Sequence, residues 1–165
     1  VEISENELVL VIKSNRKLLP LLDLLKNHSE LQFKQLIDLY GVDYISRKRR
    51  FEVHYVLWSF LYNSRLRIKS YLELEEPIDS VSSLYSSGNW LEREVWDMFG
   101  IYFTNHPDLR RILTDYGFEG FPLRKDFPVT GFLEMRYNEN SKRIVYEPVE
   151  LSQEYRLFHF QSPWE

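Results

Sequence analysis

Glu92, Glu94, Asp97 and His106 fall within one short stretch of the chain. Carboxylates with a histidine can hold a hard cation or pass a proton, the equipment of a metal-dependent hydrolase. Helical spacing argues against that reading. At about 100° per residue Glu92 and Glu94 stand roughly 160° apart, so only Glu94 and Asp97 can converge. Glu92 lies three residues after Asn89, where a capping-box carboxylate reaches back to the N-cap N–H. Asp97 follows Arg93 at the i,i+4 spacing of a plain ion pair. His106 stands before Pro107 and is expected to cap a following short helix. His28, His54 and His159 have no spaced partners, so a hydrolytic triad has no support. The glycines at 117, 120 and 131 alternate with aromatics and proline, which suits turns better than a phosphate cradle.

A second group is cationic. Arg110, Arg111, Arg124 and Lys125 are set among carboxylates, Asp126 included, and aromatics. Two readings stand: contacts on another protein, or ion pairs inside this one. The run Arg47-Lys48-Arg49-Arg50 is expected to be a solvated turn between strands.

Composition narrows the classes. The 165 residues are 44% hydrophobic and 16% aromatic, the makeup of a folded domain. A net charge of −4 argues against general nucleic-acid binding. No apolar run approaches the length of a membrane span. With no cysteine, the chain has no thiol nucleophile, disulfide, or Cys-ligated zinc or iron–sulfur cluster. Alanine is also absent, for which AT-rich coding DNA, as in many organelles, is the expected cause. The first residue is Val1, and a trimmed start is expected.

The elements that must position these residues follow from periodicity. Leu8 to Ile12 predicts a strand, and Ser14 or Asn15 the cap of a leucine-rich helix. Further strands are expected over Leu36 to Ile45, Phe51 to Phe60 and Leu66 to Leu74. Ser80 to Tyr85 predicts a short helix. From Asn89 an amphipathic helix runs with Leu91, Val95, Met98 and Phe99 on its apolar arc and Arg93, Glu94 and Asp97 opposite, until Gly100 ends it. A short strand over Ile101 to Phe103 and a helix from Pro107 are expected next. An irregular loop rich in Pro, Gly and aromatics follows, then a hairpin of Phe132 to Tyr137 with Lys142 to Glu147. The fold class is α+β: a mostly antiparallel sheet with helices on one side, followed by the irregular extension and a C-terminal tail. Residues 1–88 form the α+β domain, 89–147 the helix, loop and hairpin packed on it, and 148–165 an extended partner-binding tail.

Glu92-Arg93-Glu94, Asp97-Met98-Phe99-Gly100, the run from His106 through Leu113, and the segments DYGFEG and PLRKDFP resemble the signature of a known family. It is the thirty-kilodalton subunit of respiratory complex I, NADH:ubiquinone oxidoreductase. The resemblance is weaker over FKQLIDLYGVDY and RFEVHY, strong again in the tail, and covers essentially the whole chain. It implies a non-catalytic structural subunit of the quinone module, carrying no cofactor or metal of its own, in a complex that bears FMN and iron–sulfur clusters. The implied partners are the forty-nine-kilodalton quinone-site subunit and neighbouring iron–sulfur subunits. The implied place is the matrix side of the mitochondrial inner membrane, or the cytoplasmic face of a bacterial membrane, with no direct membrane span. Glu92, Arg93, Glu94, Asp97, His106, Arg110, Arg111, Arg124, Lys125 and Asp126 are carried over as structural or subunit-interface residues. Two departures stand out: Phe121 occupies a position where the family more often has histidine, and the sequence stops at Glu165 where many relatives run on. The related subunit of a photosynthetic ferredoxin:plastoquinone oxidoreductase, or of a membrane-bound hydrogenase, is the alternative within this architecture. The free-standing hydrolase is the alternative outside it.

Overall fold

The computed structural model describes residues 2–4, 7–12, 14–162 and 164. Two compact units divide the chain, Val1–Asp126 and Phe127–Glu165.

The first unit is built on a five-stranded sheet. Its strands are β1 (Glu2–Ser4), β2 (Glu7–Ile12), β3 (Gln35–Asp43), β4 (Phe51–Ser59) and β5 (Ser64–Leu72), in the order β1-β2-β5-β4-β3. Every neighbouring pair is antiparallel except β2 with β5. Alternate residues of a strand face opposite sides, so Phe51, Val53, Tyr55 and Leu57 of β4 and Leu66 and Ile68 of β5 point together into the core. They meet Leu18, Leu22 and Leu25 of α1 (Leu18–Asn27) and Val95 and Phe99 of α2 (Gly88–Phe99) in one apolar cluster. The fold is thus the α+β arrangement expected, a mostly antiparallel sheet with both helices in the same core. Gly41 of β3 lets α2 approach, since a Cβ there would sit 3.0 Å from the Phe99 ring. Two short strands flank α2 in sequence and pair in parallel, β6 (Ile78–Asp79) and β7 (Phe103–Thr104).

Four expectations about local structure are overturned. Neither Ser14 nor Asn15 caps α1, because a 3-10 turn over Asn15–Lys17 comes first and leaves Lys17 at the helix start without a side-chain cap. Residues 80–85 form turns, closed by Tyr85 N–H donating to Val81 O, and no helix. The chain after Pro107 is likewise irregular. α2 begins at Gly88 after Ser87, so Asn89 is not its cap; the Ser87 hydroxyl donates to Leu36 O instead. At the other end Gly100 takes the left-handed conformation (φ 72°) and closes the helix as expected.

The second unit holds the hairpin of β8 (Leu133–Asn138) and β9 (Arg143–Pro148). Its register places Met135 opposite Tyr146 and Tyr137 opposite Ile144 on one side, with Glu134 opposite Glu147 and Arg136 opposite Val145 on the other. The apolar side is open to solvent: Met135, Tyr137, Ile144 and Tyr146 are all more than half exposed. The chain beyond Pro148 is irregular and exposed, and Pro163 and Glu165 of the expected tail lie outside the described residues. Among the described residues no helix is long and apolar enough to cross a membrane.

Candidate functional site

The signature residues surround α2, and the helix is far more buried than its pattern implies. Arg93 and Asp97, expected on a solvated face, are buried, and Glu94 alone of the three is exposed. The cause is the irregular loop after β7, which wraps the face that amphipathicity assigns to water.

Asp97 organises that loop. Its Oδ2 accepts the N–H groups of Ile112 (3.1 Å), Leu113 (2.7 Å) and Thr114 (3.0 Å). Its Oδ1 accepts the Thr114 hydroxyl at 2.6 Å and Arg111 at 3.1 Å. Burial pushes the carboxyl pKa up, but the Thr114, Leu113 and Ile112 hydrogen bonds outweigh it and hold the group below the usual range. The expected Arg93–Asp97 pair is therefore not formed. Arg93 Nε donates to Arg110 O at 3.2 Å, with the guanidinium over the Trp90 ring. Arg111 also donates to Gly120 O at 2.9 Å and lies 5.0 Å from the Phe121 ring centroid.

The loop is fastened twice more. At the C-terminus of α2, Leu123 N–H donates to Met98 O and Arg124 Nε to Phe99 O, supplying carbonyls that the helix leaves open. Arg124 sits between the rings of Phe121 (4.3 Å) and Phe51 (5.3 Å). At the end of β3, buried Asp43 accepts two bonds from Arg50, at 2.6 and 2.7 Å, and Lys125 N–H at 2.8 Å. Arg50 reaches Asp126 as well, at 3.0 Å. Asp43 is held below the usual carboxylate range because these bonds, from Arg50 foremost, exceed the opposing effect of burial. Arg47 meets Glu52 at 2.5 Å. The basic turn is thus not simply solvated, as two of its four cations are directed inward.

Gly100 is where the first two fastenings converge. A Cβ on it would lie 2.5 Å from the Phe121 ring and 2.6 Å from Arg124, in a backbone conformation that side chains resist. Gly100→Ala is expected to cost about 2 kcal/mol, from left-handed strain plus displacement of Arg124. Chemical denaturation checks this; a loss below half that value would show the Arg124 contact to be dispensable.

Glu92 has a separate role. Fully buried, it accepts the Ser80 hydroxyl and Val81 N–H, each at 2.6 Å, and so ties α2 to the turn after β6 instead of capping its own helix. Burial raises its pKa to about 7 against those two bonds. His106 Nε2 lies 3.7 Å from Glu92 Oε2 and 3.2 Å from Asn89 O, while Nδ1 accepts Asp108 N–H. An Nδ1 that accepts leaves the ring hydrogen on Nε2, directed to Asn89 O.

The structure therefore joins Asp97 to Arg111, Arg93 to the backbone of Arg110, and Asp126 to Arg50, and sets His106 beside Glu92 with its ring hydrogen given to Asn89 O. Glu94 and Lys125 are exposed, and the Arg110 side chain makes an exposed pair with Asp108. Glu94, Asp97 and His106 do not converge, and among the described residues no three His, Asp or Glu side chains group where a metal could be held. Sequence reasoning passed over Ser80, Asp43 and Arg50. The first had no signal, and Arg50 was hidden in a run of cations.

Residues 11–133 match the model of the family described as the respiratory-chain NADH dehydrogenase, 30 kDa subunit. This chain belongs to that family. NADH-ubiquinone oxidoreductase subunit 9 of Reclinomonas americana is 55% identical over 162 residues, covering 98% of this chain and 79% of the relative. NADH dehydrogenase [ubiquinone] iron-sulfur protein 3 of Oryza sativa subsp. japonica is 60% identical over 148 residues, 90% of this chain and 78% of that one. The subunit 9 protein of Acanthamoeba castellanii is 62% identical over 141 residues, 86% and 71% of the two chains. A chain in the structure of the membrane-bound sulfane sulfur reductase, an archaeal respiratory membrane complex, shares the fold: TM-score 0.63 at 24% identity, over 76% of this chain and 75% of that one. In this member of the thirty-kilodalton family, the most buried signature carboxylates, Glu92 and Asp97, serve to hold backbone in place.

Proposed function

We propose that this chain is a non-catalytic structural subunit of the quinone module in the peripheral arm of respiratory complex I. It supports electron transfer from NADH to ubiquinone, coupled to proton translocation, by bracing the neighbours that carry the redox groups. One observation supports the reading most. Glu92, Asp97, Arg111 and Arg124 bind backbone or one another, so that an irregular loop becomes a fixed surface. Side chains committed in this way are not aimed at a substrate, and a loop locked on both flanks is suited to presenting a shape to another protein.

FMN and the iron–sulfur clusters belong to other subunits, in keeping with a chain that lacks cysteine. The forty-nine-kilodalton quinone-site subunit is the neighbour assigned here, together with adjoining iron–sulfur subunits. Arg110 and Lys125, both exposed, are assigned to its contacts. The location assigned is the matrix side of the mitochondrial inner membrane.

Purification in mild detergent through a tag on this chain tests the reading, followed by activity staining of a native gel and subunit identification. The expected result is co-migration with an NADH-oxidising assembly that contains the quinone-site subunit. Recovery as a small species without those partners would overturn it.

A further inference from the structure

β3 is an edge strand: it pairs with β4, and among the described residues no strand lies on its other side. Natural sheets guard such edges with lysine, proline, bulges or a covering element. Neither lysine nor proline occurs in β3, whose single irregularity lies between Leu36 and Asp38. The ends are occupied, since Ser87 donates to Leu36 O and Lys125 N–H to the Asp43 carboxylate. Between them a stretch stays open. Leu39 N–H is met by Asp38 Oδ1 at 2.8 Å and not by β4, and alternation along the ladder turns Gly41 N–H and C=O to the same open side.

Alongside this edge runs a cleft of about 220 Å³, between β3 and α2, lined by Asp38, Tyr40, Gly41, Glu94, Met98 and Leu123 among others. Its size suits one or two side chains and falls short of the roughly 300–1,000 Å³ of small-molecule sites. Its walls are apolar and its charge is of one sign. Glu94 is exposed with no ion-pair partner among the described residues, and Asp38 has only its bond to Leu39 N–H.

We infer that the open edge of β3 takes up an extended, basic segment of a neighbouring subunit as an added strand, with a Lys or Arg of that segment placed between Asp38 and Glu94 in the cleft. Strand addition beside a helix supplies affinity through backbone bonds to Leu39 C=O and to the N–H and C=O of Gly41, and specificity through the side-chain cleft. Charge disfavours one rival occupant: this chain's own tail, residues 148–165, carries Glu150, Glu154 and Glu165 against Arg156, the wrong sign for the two carboxylates. The inference rests on the subunit reading above.

The test places a photo-reactive phenylalanine analogue at Leu123, which is half exposed on the cleft wall, and irradiates the complex isolated in mild detergent. Mass spectrometry then identifies the linked segment. The expected product joins Leu123 to one stretch of another subunit with a Lys or Arg within a few residues of the link. Glu94→Lys, a change at an exposed position, should leave the melting temperature of the free chain in place while lowering that product about tenfold, because like charges then face each other. A link to residues 127–165 of the same chain, to an acidic segment, or to nothing would overturn the strand-docking inference while leaving the subunit reading intact. Absence of this chain from any membrane assembly would overturn both.

Discussion

Asp97→Ala is expected to destabilise the first unit by about 3–5 kcal/mol, the range for breaking one half of a buried charged pair. Two features set the magnitude. The carboxylate receives three consecutive backbone N–H groups and a hydroxyl, and removing it leaves those donors short of acceptors in a part-buried site. It also leaves the Arg111 guanidinium without its anion. Domains of this size hold about 5–15 kcal/mol in total, so the variant stands near the edge of folding. Denaturant titration gives the loss, and limited proteolysis should show cleavage opening within residues 107–126 while β4 and β5 stay protected. Arg111→Ala should cost less, since Asp97 keeps its backbone donors, and the double variant should cost less than the sum of the two. A loss below about 1 kcal/mol for Asp97→Ala would mean that the aromatic contacts hold the loop unaided.

The second large effect is on pH dependence, and its sign is set by Glu92. Its carboxyl titrates near 7 in the folded chain against an ordinary value of 4.5. Below about 4.5 both states are protonated. Between 4.5 and 7 the unfolded carboxyl gives up its proton and the folded one keeps it, so stability falls as pH rises through that window and levels off above it. The slope at its steepest approaches about 1.4 kcal/mol per pH unit, and the total over the window is on the order of 3 kcal/mol. A neutral carboxyl is well served at this position. It can donate to Ser80 Oγ, which lies 2.8 Å from Ser82 Oγ and can pass its own hydrogen on. Asp43 and Asp97 act in the opposite sense: their values lie below 3.8, so their contribution is present above that pH and is lost as pH falls through the lower values. Stability should therefore peak in the mildly acidic range, between the two limbs. Glu92→Gln should remove the descending limb and leave the acid limb. A slope unchanged in that variant would show Glu92 to be ionised in the folded state throughout.

The strands were legible because their causes are local. An apolar run placed β2, alternating and β-branched character placed β3, and β4 and β5 were likewise expected within a few residues of where they lie, while Asn138 to Ser141 announced the hairpin of the second unit. Gly100 was legible for the same reason, as a residue suited to left-handed backbone. The errors around α2 share another cause. Glu92 stands at capping-box spacing, yet its partners Ser80 and Val81 come from before the helix, through a turn that spacing cannot foresee. Pro107 and the residues after it look like a helix start, but the N–H groups of residues 112–114 are taken by Asp97, and a helix there would have to give up that carboxylate. The family resemblance marked these residues as a group and was silent on what each one does. Their roles are set by contacts between segments far apart in sequence, such as Asp43 with Lys125.

The hairpin of the second unit has a consequence for the life of the chain before assembly. Two strands alone are marginal in water, and this pair displays Met135, Tyr137, Ile144 and Tyr146 together on its exposed side. A newly made copy that has not met its partners thus shows the kind of surface that chaperones hold and proteases seek. Burial in the assembly would hide it. Free copies are therefore expected to be degraded faster than assembled ones, and a pulse-chase measurement in cells blocked in assembly checks this.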